Sequence, residues 1–262
     1  MDTTEFKRFI EILAEESGKI IAPLFRNPNL KVELKADQSV VTIADRSAEE
    51  RLRLLIKRRY PEHGIVGEEF GAEDQQAEFV WVLDPIDGTI SFTSGCPLFG
   101  TLIGLLHQGR PLLGAIHQPI LGQLCLGDTQ ATFLNGSAVR IRSGLKLEQA
   151  TLLVSDPCAP AKYKDGTAFE RLTRQVNIYR SWGDCYGYLL LSGGYADIMC
   201  DPIMNPWDLL PVIPIIEGAG GVVTSWEGAD AATADSCVAA GKDLHPQVLK
   251  LLKGSSCSSI DL

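Results

Sequence analysis

A mixed α/β fold is what this 262-residue sequence predicts, on three observations. Two stretches near the N-terminus, 4–26 and 42–60, repeat apolar side chains at helical spacing. Between 65 and 133, short apolar runs alternate with turns carrying Gly or Asn-Gly, the pattern of paired strands. From about residue 150, strand-like and helix-like stretches alternate, which suggests a β/α layer.

In the first helix the apolar positions are Phe6, Phe9, Ile10, Leu13, Ile20, Ile21, Leu24 and Phe25, with Thr3 or Thr4 as the N-cap. A polar, extended segment, 27–41, leads to a second helix striped by Ala44, Ala48, Leu52, Leu55 and Ile56. Asp45 falls in or just before its first turn, and 61-PEHG-64 closes it. Strands are expected at 65–66, 79–83, 101–106, 112–117, 122–126 and 131–133, with a turn at Asn135-Gly136. Then come a strand at 151–155, helices near 167–176 and 186–195, a strand at 196–200, a helix starting near Asp208, and a strand at 220–225. There is no internal repeat. The chain reads as one continuous domain of two subdomains: 1–145, carrying most of the acids discussed below, and 146–253, completing their site. A loose tail is expected over 254–262.

With 45% hydrophobic and 22% charged residues, the chain has a globular composition and is long enough to bury a core without disulfides. Its seven Cys are an odd number, with no C-x-x-C pair or zinc-type spacing, which suits reduced thiols in the cytoplasm. The N-terminus is acidic and amphipathic and lacks the pattern of a signal peptide. No apolar run approaches ~18 residues, so no membrane span is expected. A net charge of −9 argues against a nucleic-acid partner and suits an enzyme that concentrates metal cations.

The stretch 79-FVWVLDPIDGTISF-92 carries the chemistry. An apolar strand ends in Asp84 and Asp87, three residues apart, followed by Gly88-Thr89. A carboxylate at the end of a buried strand is costly without a partner, and two within one turn repel each other. Other acids also sit at element ends: Asp45, Glu68 and Glu69, and Asp208. Singly, Asp45 and Asp208 are ordinary helix N-terminal acids and Glu68-Glu69 a solvated turn. Together they suit a hard cation such as Mg2+, which takes oxygen ligands at ~2.0–2.1 Å. Carboxylates from separate elements can hold two such ions ~3.5–4 Å apart for phosphoryl chemistry. The four His, at 63, 107, 117 and 245, form no cluster, which disfavours zinc. Gly88 lets backbone N–H groups face a ligand, and a helical turn opening at Thr89 would aim them at a phosphate. The Thr89 hydroxyl could bridge Asp45 and a water.

These motifs resemble the inositol monophosphatase family of Mg2+-dependent, lithium-sensitive phosphatases. The resemblance spans roughly 5–250 and rests on 67-GEE-69, 81-WVLDPIDGT-89 with Phe92, and 207-WD-208 followed by 217-EGAGG-221. It implies a layered α-β-α-β-α sandwich of the inositol monophosphatase and fructose-1,6-bisphosphatase type, and a homodimer. It implies Glu68, Asp84 and the Ile86 carbonyl around one Mg2+, and Asp84, Asp87 and Asp208 around a second, with Glu68 helping to place a weaker third. Asp45 and Thr89 would activate the attacking water, with Glu68 counted among the catalytic groups. Gly88 and Thr89 would bind phosphate. Ile90 and Cys96 depart from the pattern, standing where basic residues are common.

The substrate is then a small phosphate ester. The stretches 41-VTIADRSAEE-50, 87-DGTISFTSGCPLFGTLIGLL-106, 182-WGDCYGYLLLSGGYADIM-199 and 207-WDLLPVIPIIEGAGG-221 resemble the histidinol-phosphatase branch, including Pro211 and Pro214 where a plain helix avoids proline. Asp184 supplies a carboxylate that can pair with an ammonium or accept from an imidazole N–H. It could also be a loop-bracing residue. Asp201 corresponds to an acidic substrate contact in the inositol enzymes, or is a strand-end turn acid. The resemblance therefore points to hydrolysis of L-histidinol phosphate in histidine biosynthesis. An inositol or broad sugar phosphatase is the alternative within enzymes, and a non-catalytic interaction protein is the alternative outside them.

Overall fold

The computed structural model describes residues 2–35 and 39–253. The expectation of a loose tail over 254–262 lies outside them. In chain order the elements are α1 (Thr4–Ile21), β1 (Val32–Leu34), β2 (Val40–Thr42), α2 (Ile43–Arg59), β3 (Gly64–Gly67), β4 (Gly71–Glu73), β5 (Phe79–Asp87), α3 (Thr89–Thr93), β6 (Gly100–His107), β7 (Arg110–Gln118), β8 (Gln123–Gly127), β9 (Thr132–Leu134) and β10 (Ser137–Val139). The second half adds β11 (Thr151–Leu153), α4 (Ala159–Tyr163), α5 (Gly166–Thr173), β12 (Ile178–Arg180), α6 (Asp184–Ser192), β13 (Ile198–Asp201), α7 (Pro206–Leu209), α8 (Val212–Gly218), β14 (Gly221–Thr224), β15 (Cys237–Gly241) and α9 (His245–Leu252).

Two sheets organise these elements. One has eight strands in the order β10-β9-β8-β7-β6-β5-β3-β4, and the other has five, β12-β11-β13-β15-β14. Strand alternation assigns their faces. From β5, Trp81 and Leu83 join Phe9, Ile10 and Leu13 of α1 and Leu52 and Ile56 of α2. From the opposite face of the same sheet, Leu102 and Ile116 meet α6 and α8, which also take Leu153, Met199 and Ala239 from the five-stranded sheet. The far face of that second sheet, with Leu152, Val154 and Ile198, packs on α5 and α9 through Phe169, Leu172 and Val248. The layers therefore run α–β–α–β–α, as the resemblance implies.

A row of glycines seats the middle layer. Gly104, Gly114 and Gly127 are cross-strand partners on β6, β7 and β8. A Cβ at Gly114 would lie 1.8 Å from the Pro211 carbonyl oxygen, and one at Gly127 would lie 2.5 Å from Ile215 Cα. A Cβ at Gly114 or Gly127 would push Pro211 and α8 off the sheet, and Pro211 follows directly after α7 and Leu210, the stretch that carries Asp208. The two prolines fit this layer. Pro211 is the N-cap of α8 and Pro214 lies in its first turn, where no backbone donor is required.

Some expectations need correction. The first helix ends at Ile21 and continues as one 3-10 turn, Ala22–Leu24. It is not capped by a Thr4 or Thr3 hydroxyl: the Thr4 N–H donates to Asp2 Oδ1 at 2.9 Å. β5 does not stop at Leu83. Pairing with β6 continues through Asp84 and resumes at Asp87 after a bulge, so both acids belong to the strand's end. The turn at Asn135 and Gly136 has positive φ at both residues (48° and 77°), as an Asn-Gly hairpin should.

Candidate active site

Three aspartates converge. Asp84, Asp87 and Asp208 each offer a carboxylate oxygen, and these oxygens lie within 4.8 Å of one another. Asp84 is only 2% exposed. Among the described residues, none of the three has a Lys or Arg partner within ion-pair distance.

One construction recurs: each acid ties one oxygen to nearby backbone and leaves the other for the site. Asp84 Oδ1 accepts from the Ile86 N–H at 2.9 Å, across the bulge. Asp87 Oδ2 accepts from the Cys185 N–H at the start of α6. Asp208 is the third residue of α7, and its Oδ2 accepts from the Asn205 N–H at 2.9 Å and the Asn205 side chain at 3.2 Å. Asp45 occupies the same place in α2: its Oδ2 accepts from the Thr42 N–H at 2.8 Å and hydroxyl at 2.7 Å, closing a capping box. Two of the expected site acids, Asp45 and Asp208, are thus helix-capping acids, the ordinary role that helix starts give such residues.

The cluster is strained electrostatically. Burial pushes Asp84 well above the ordinary aspartate range, with Glu68 and Asp87 adding to it. Burial does the same to Asp87, reinforced by Asp184 and Asp208. Asp208 rises to about 6 through burial, opposed by its bonds to Asn205. Asp45 is raised by burial against the lowering effect of Thr42. A compact set of carboxylate oxygens without cationic partners among the described residues suits a hard divalent cation.

Gly88 has φ 89°, and a Cβ there would meet Asp184 Oδ2 and the Leu98 carbonyl oxygen, each at 2.9 Å. The glycine therefore permits both the left-handed turn and the approach of Asp184. It is followed directly by α3, as expected for 89-TISF-92. Thr89 Oγ1 lies 3.0 Å from the Ile86 carbonyl oxygen and 3.5 Å from Asp45 Oδ1. Its single proton can serve either acceptor.

Beside the aspartates opens a cavity of about 280 Å3, lined by Asp156, Tyr163, Asp184, Asp201 and Ile203 among others, with no Lys or Arg among the described residues. Asp184 holds φ 50°, a left-handed conformation that aspartate tolerates better than most residues. Its N–H donates to Ser155 Oγ at 2.8 Å, and burial lifts its carboxyl to about 7, with Asp201 and Asp208 adding to the rise. Asp201 is more fully engaged: Oδ1 accepts from the Ser155 N–H at 3.0 Å and Oδ2 from the Tyr188 hydroxyl at 2.9 Å.

Glu68 stands apart from the three-aspartate group and pairs with Lys35, which reaches Glu68 at 2.8 Å and Glu69 at 2.6 Å. The sequence reading missed Lys35, for which the polar segment 27–41 gives no signal. It also missed Ser155 and Asp156, although a polar pair closing a strand-like run is the same signal that marks Asp84.

Comparison with known proteins agrees with this geometry. The sequence model of the inositol monophosphatase family matches residues 2–256. The chain is 40% identical to the bifunctional phosphatase IMPL2 of Arabidopsis thaliana, over 97% of this chain and 77% of that one. It is 37% identical to the histidinol-phosphatase of Chlorobaculum parvum, over 82% of this chain and 84% of that one. Among solved structures, an inositol monophosphatase from Zymomonas mobilis superposes with a TM-score of 0.86 at 33% identity, covering 97% of this chain and 100% of that one. The chain is therefore a phosphatase, a hydrolase that belongs to the inositol monophosphatase family.

Proposed function

We propose that this protein is a Mg2+-dependent phosphomonoesterase that hydrolyses L-histidinol phosphate to L-histidinol and phosphate. The observation that carries the choice of substrate is the cavity beside the aspartates, whose wall contains Asp156, Asp184 and Asp201 and, among the described residues, no basic side chain. A neutral polyol can donate hydroxyl hydrogen bonds to such a wall, but only an ammonium or imidazolium also brings the positive charge that offsets its carboxylates. Relatives named histidinol-phosphatase, from Chlorobaculum parvum and Mycobacterium tuberculosis at 37% and 32% identity, support the same reading. The Zymomonas mobilis structure supports the alternative, an inositol or broad sugar phosphatase.

Asp84, Asp87 and Asp208, with Glu68 and the Ile86 carbonyl, would hold two Mg2+ ions, and a third more weakly. Bound there, Mg2+ neutralises charge on the phosphoryl oxygens and makes a coordinated water more acidic. Gly88 and Thr89 present first-turn N–H groups to the phosphate. Thr89 and Asp45 would orient the attacking water, whose proton would pass to Asp45 as the ester P–O bond breaks and the leaving alkoxide takes a proton from solvent. The Thr89 hydroxyl lies within reach of Asp45 Oδ1 as well as the Ile86 carbonyl oxygen. Asp184 would read the cationic alcohol, with Asp201 bracing the wall and offering a further acceptor. The active form would be a homodimer in the cytoplasm, and no helix among the described residues is long and apolar enough to cross a membrane.

The test compares kcat/KM for phosphate release from L-histidinol phosphate and from inositol 1-phosphate in Mg2+. We expect the amino alcohol ester to be preferred by about tenfold or more, and Asp184→Ala to erase most of that margin, since one charge-assisted bond contributes about 1.5–3 kcal/mol. A preference for the inositol ester that survives the substitution overturns the substrate assignment.

A pH signature accompanies metal binding. The raised aspartates hold protons more tightly when folded, so the metal-free fold loses stability as pH climbs from their unfolded value of 3.8 through the folded value of about 6 at Asp208. The raised carboxyls of Asp84 and Asp87, pushed up by burial, add to that loss as pH rises. A divalent cation replaces those protons. The rise in Tm produced by Mg2+ over chelator should therefore be small near pH 5 and reach several degrees by pH 8. A flat difference across that window contradicts the proposed ligand set.

A further inference from the structure

We propose that Glu49 is a positioning residue: its buried carboxylate clamps the loop that carries Glu68 and thereby sets the affinity of the acidic site for divalent cations. The inference rests on the metal reading above. Glu49 lies one helical turn beyond Asp45 on α2 and is 0% exposed, whereas its neighbour Glu50 faces solvent. A charge taken wholly out of water is expensive unless several partners meet it. Here they do. Oε2 accepts from the Glu69 N–H at 2.7 Å, and Oε1 accepts from the Phe70 N–H at 3.2 Å and from Arg53 Nε at 2.8 Å.

The clamp is two-sided. Arg53, one turn further along α2, also donates to the Gly71 carbonyl and pairs with Glu73 at 3.1 Å. The Glu49–Arg53 pair therefore fixes N–H and C=O groups of the same turn. On the other side of the loop, the Glu68 N–H donates to the Leu83 carbonyl at 3.2 Å, one residue before Asp84. Glu68 is thus held between the helix that carries Asp45 and the strand that carries Asp84. Gly67 completes the fit, because a Cβ there would lie 2.1 Å from Glu49 Oε1. Among the described residues, Glu49 makes no hydrogen bond or ion pair with Asp84, Asp87 or Asp208, so its effect passes through the loop.

The test uses Glu49→Gln, with Glu73→Gln as a control that alters an exposed partner shared by Arg53 and Lys57 and leaves Glu49 intact. Gln keeps the shape but turns one acceptor into a donor facing an N–H or Arg53. In metal-free protein, amide exchange at Glu69 and Phe70 should quicken at least about tenfold in Glu49→Gln, with the β5–β6 core unchanged. Calorimetry should show Mg2+ binding weakened about 10–100-fold, the range for outer partners of metal ligands. The Mg2+ concentration for half-maximal activity should rise in parallel, while kcat at saturating Mg2+ stays within about threefold. Glu73→Gln should leave all of these at wild-type values. If Glu49→Gln does not fold, Gly67→Ala, which displaces the carboxylate sterically, should give the same pattern. Wild-type exchange and Mg2+ affinity in a folded clamp variant overturn the proposal. If wild-type protein itself takes up no Mg2+, the metal reading fails, while the exchange at Glu69 and Phe70 still judges the clamp.

Discussion

Asp84→Asn should lower kcat/KM by about 10³-fold or more in Mg2+ while leaving the fold intact and the metal-free protein at least as stable as wild type. The two halves of that expectation have different causes. Asn has almost the volume of Asp, and its carbonyl oxygen can still accept from the Ile86 N–H, now 2.9 Å from Asp84 Oδ1. The bulge that ends β5 is therefore kept. Its amide group replaces an oxygen that faces other carboxylates with a donor that one of them can use, which relieves repulsion in chelator. The same change removes a negative ligand from the cluster, and the neutral amide oxygen of Asn does not replace its charge. Asp84→Ala is a poorer probe, since it leaves the buried Ile86 N–H without its acceptor. The measurements are steady-state phosphate release in Mg2+ and thermal melts in chelator. Near-wild-type turnover, or a large drop in metal-free Tm, would contradict the role given to Asp84.

How far such a site can be read in advance depends on whether its parts leave local marks. The stripe of α2 and the alternation of Trp81 and Leu83 against Val80 and Val82 are periodic, because each faces a different layer, so both elements were legible. The acids at element ends were legible because buried charge next to an apolar run is rare. β15 was not. Its sequence, 237-CVAAG-241, is buried throughout, so it has no polar alternation, and its small residues resemble a loop. β4, wholly exposed, gave no apolar signal at all. Glu49 shows the limit most clearly. In 48-AEER-51 it is indistinguishable from Glu50, and only the turn brought against α2 by the pairing of β3 with β5 makes one of them a buried clamp. Lys35 likewise acquires its partners from a loop more than thirty residues away.

Thr89 separates two roles that the fold places on one residue, and its variants should separate them in kinetics. Its N–H opens α3 after Gly88, and every substitution except proline retains it. Its hydroxyl stands 3.5 Å from Asp45 Oδ1 and 3.0 Å from the Ile86 carbonyl oxygen. Thr89→Val keeps the shape and the N–H but has no hydroxyl, so a water between Thr89 and Asp45 loses one of the two groups that orient it. We expect kcat to fall about 10²–10³-fold, the size of a lost proton-handling contact, with KM and Mg2+ affinity changed little. Thr89→Ser restores the hydroxyl without the methyl group and should recover activity to within about tenfold of wild type. If the Ser variant falls while the Val variant stays active, the methyl packing rather than the hydroxyl matters. If KM rises while kcat holds, Thr89 serves phosphate binding alone. The expected split, a kcat defect rescued by Ser, requires the capping acid Asp45 to have spent one oxygen on Thr42 and kept the other for the water. Both of its bonds to Thr42 run to Oδ2, which leaves Oδ1 facing Thr89.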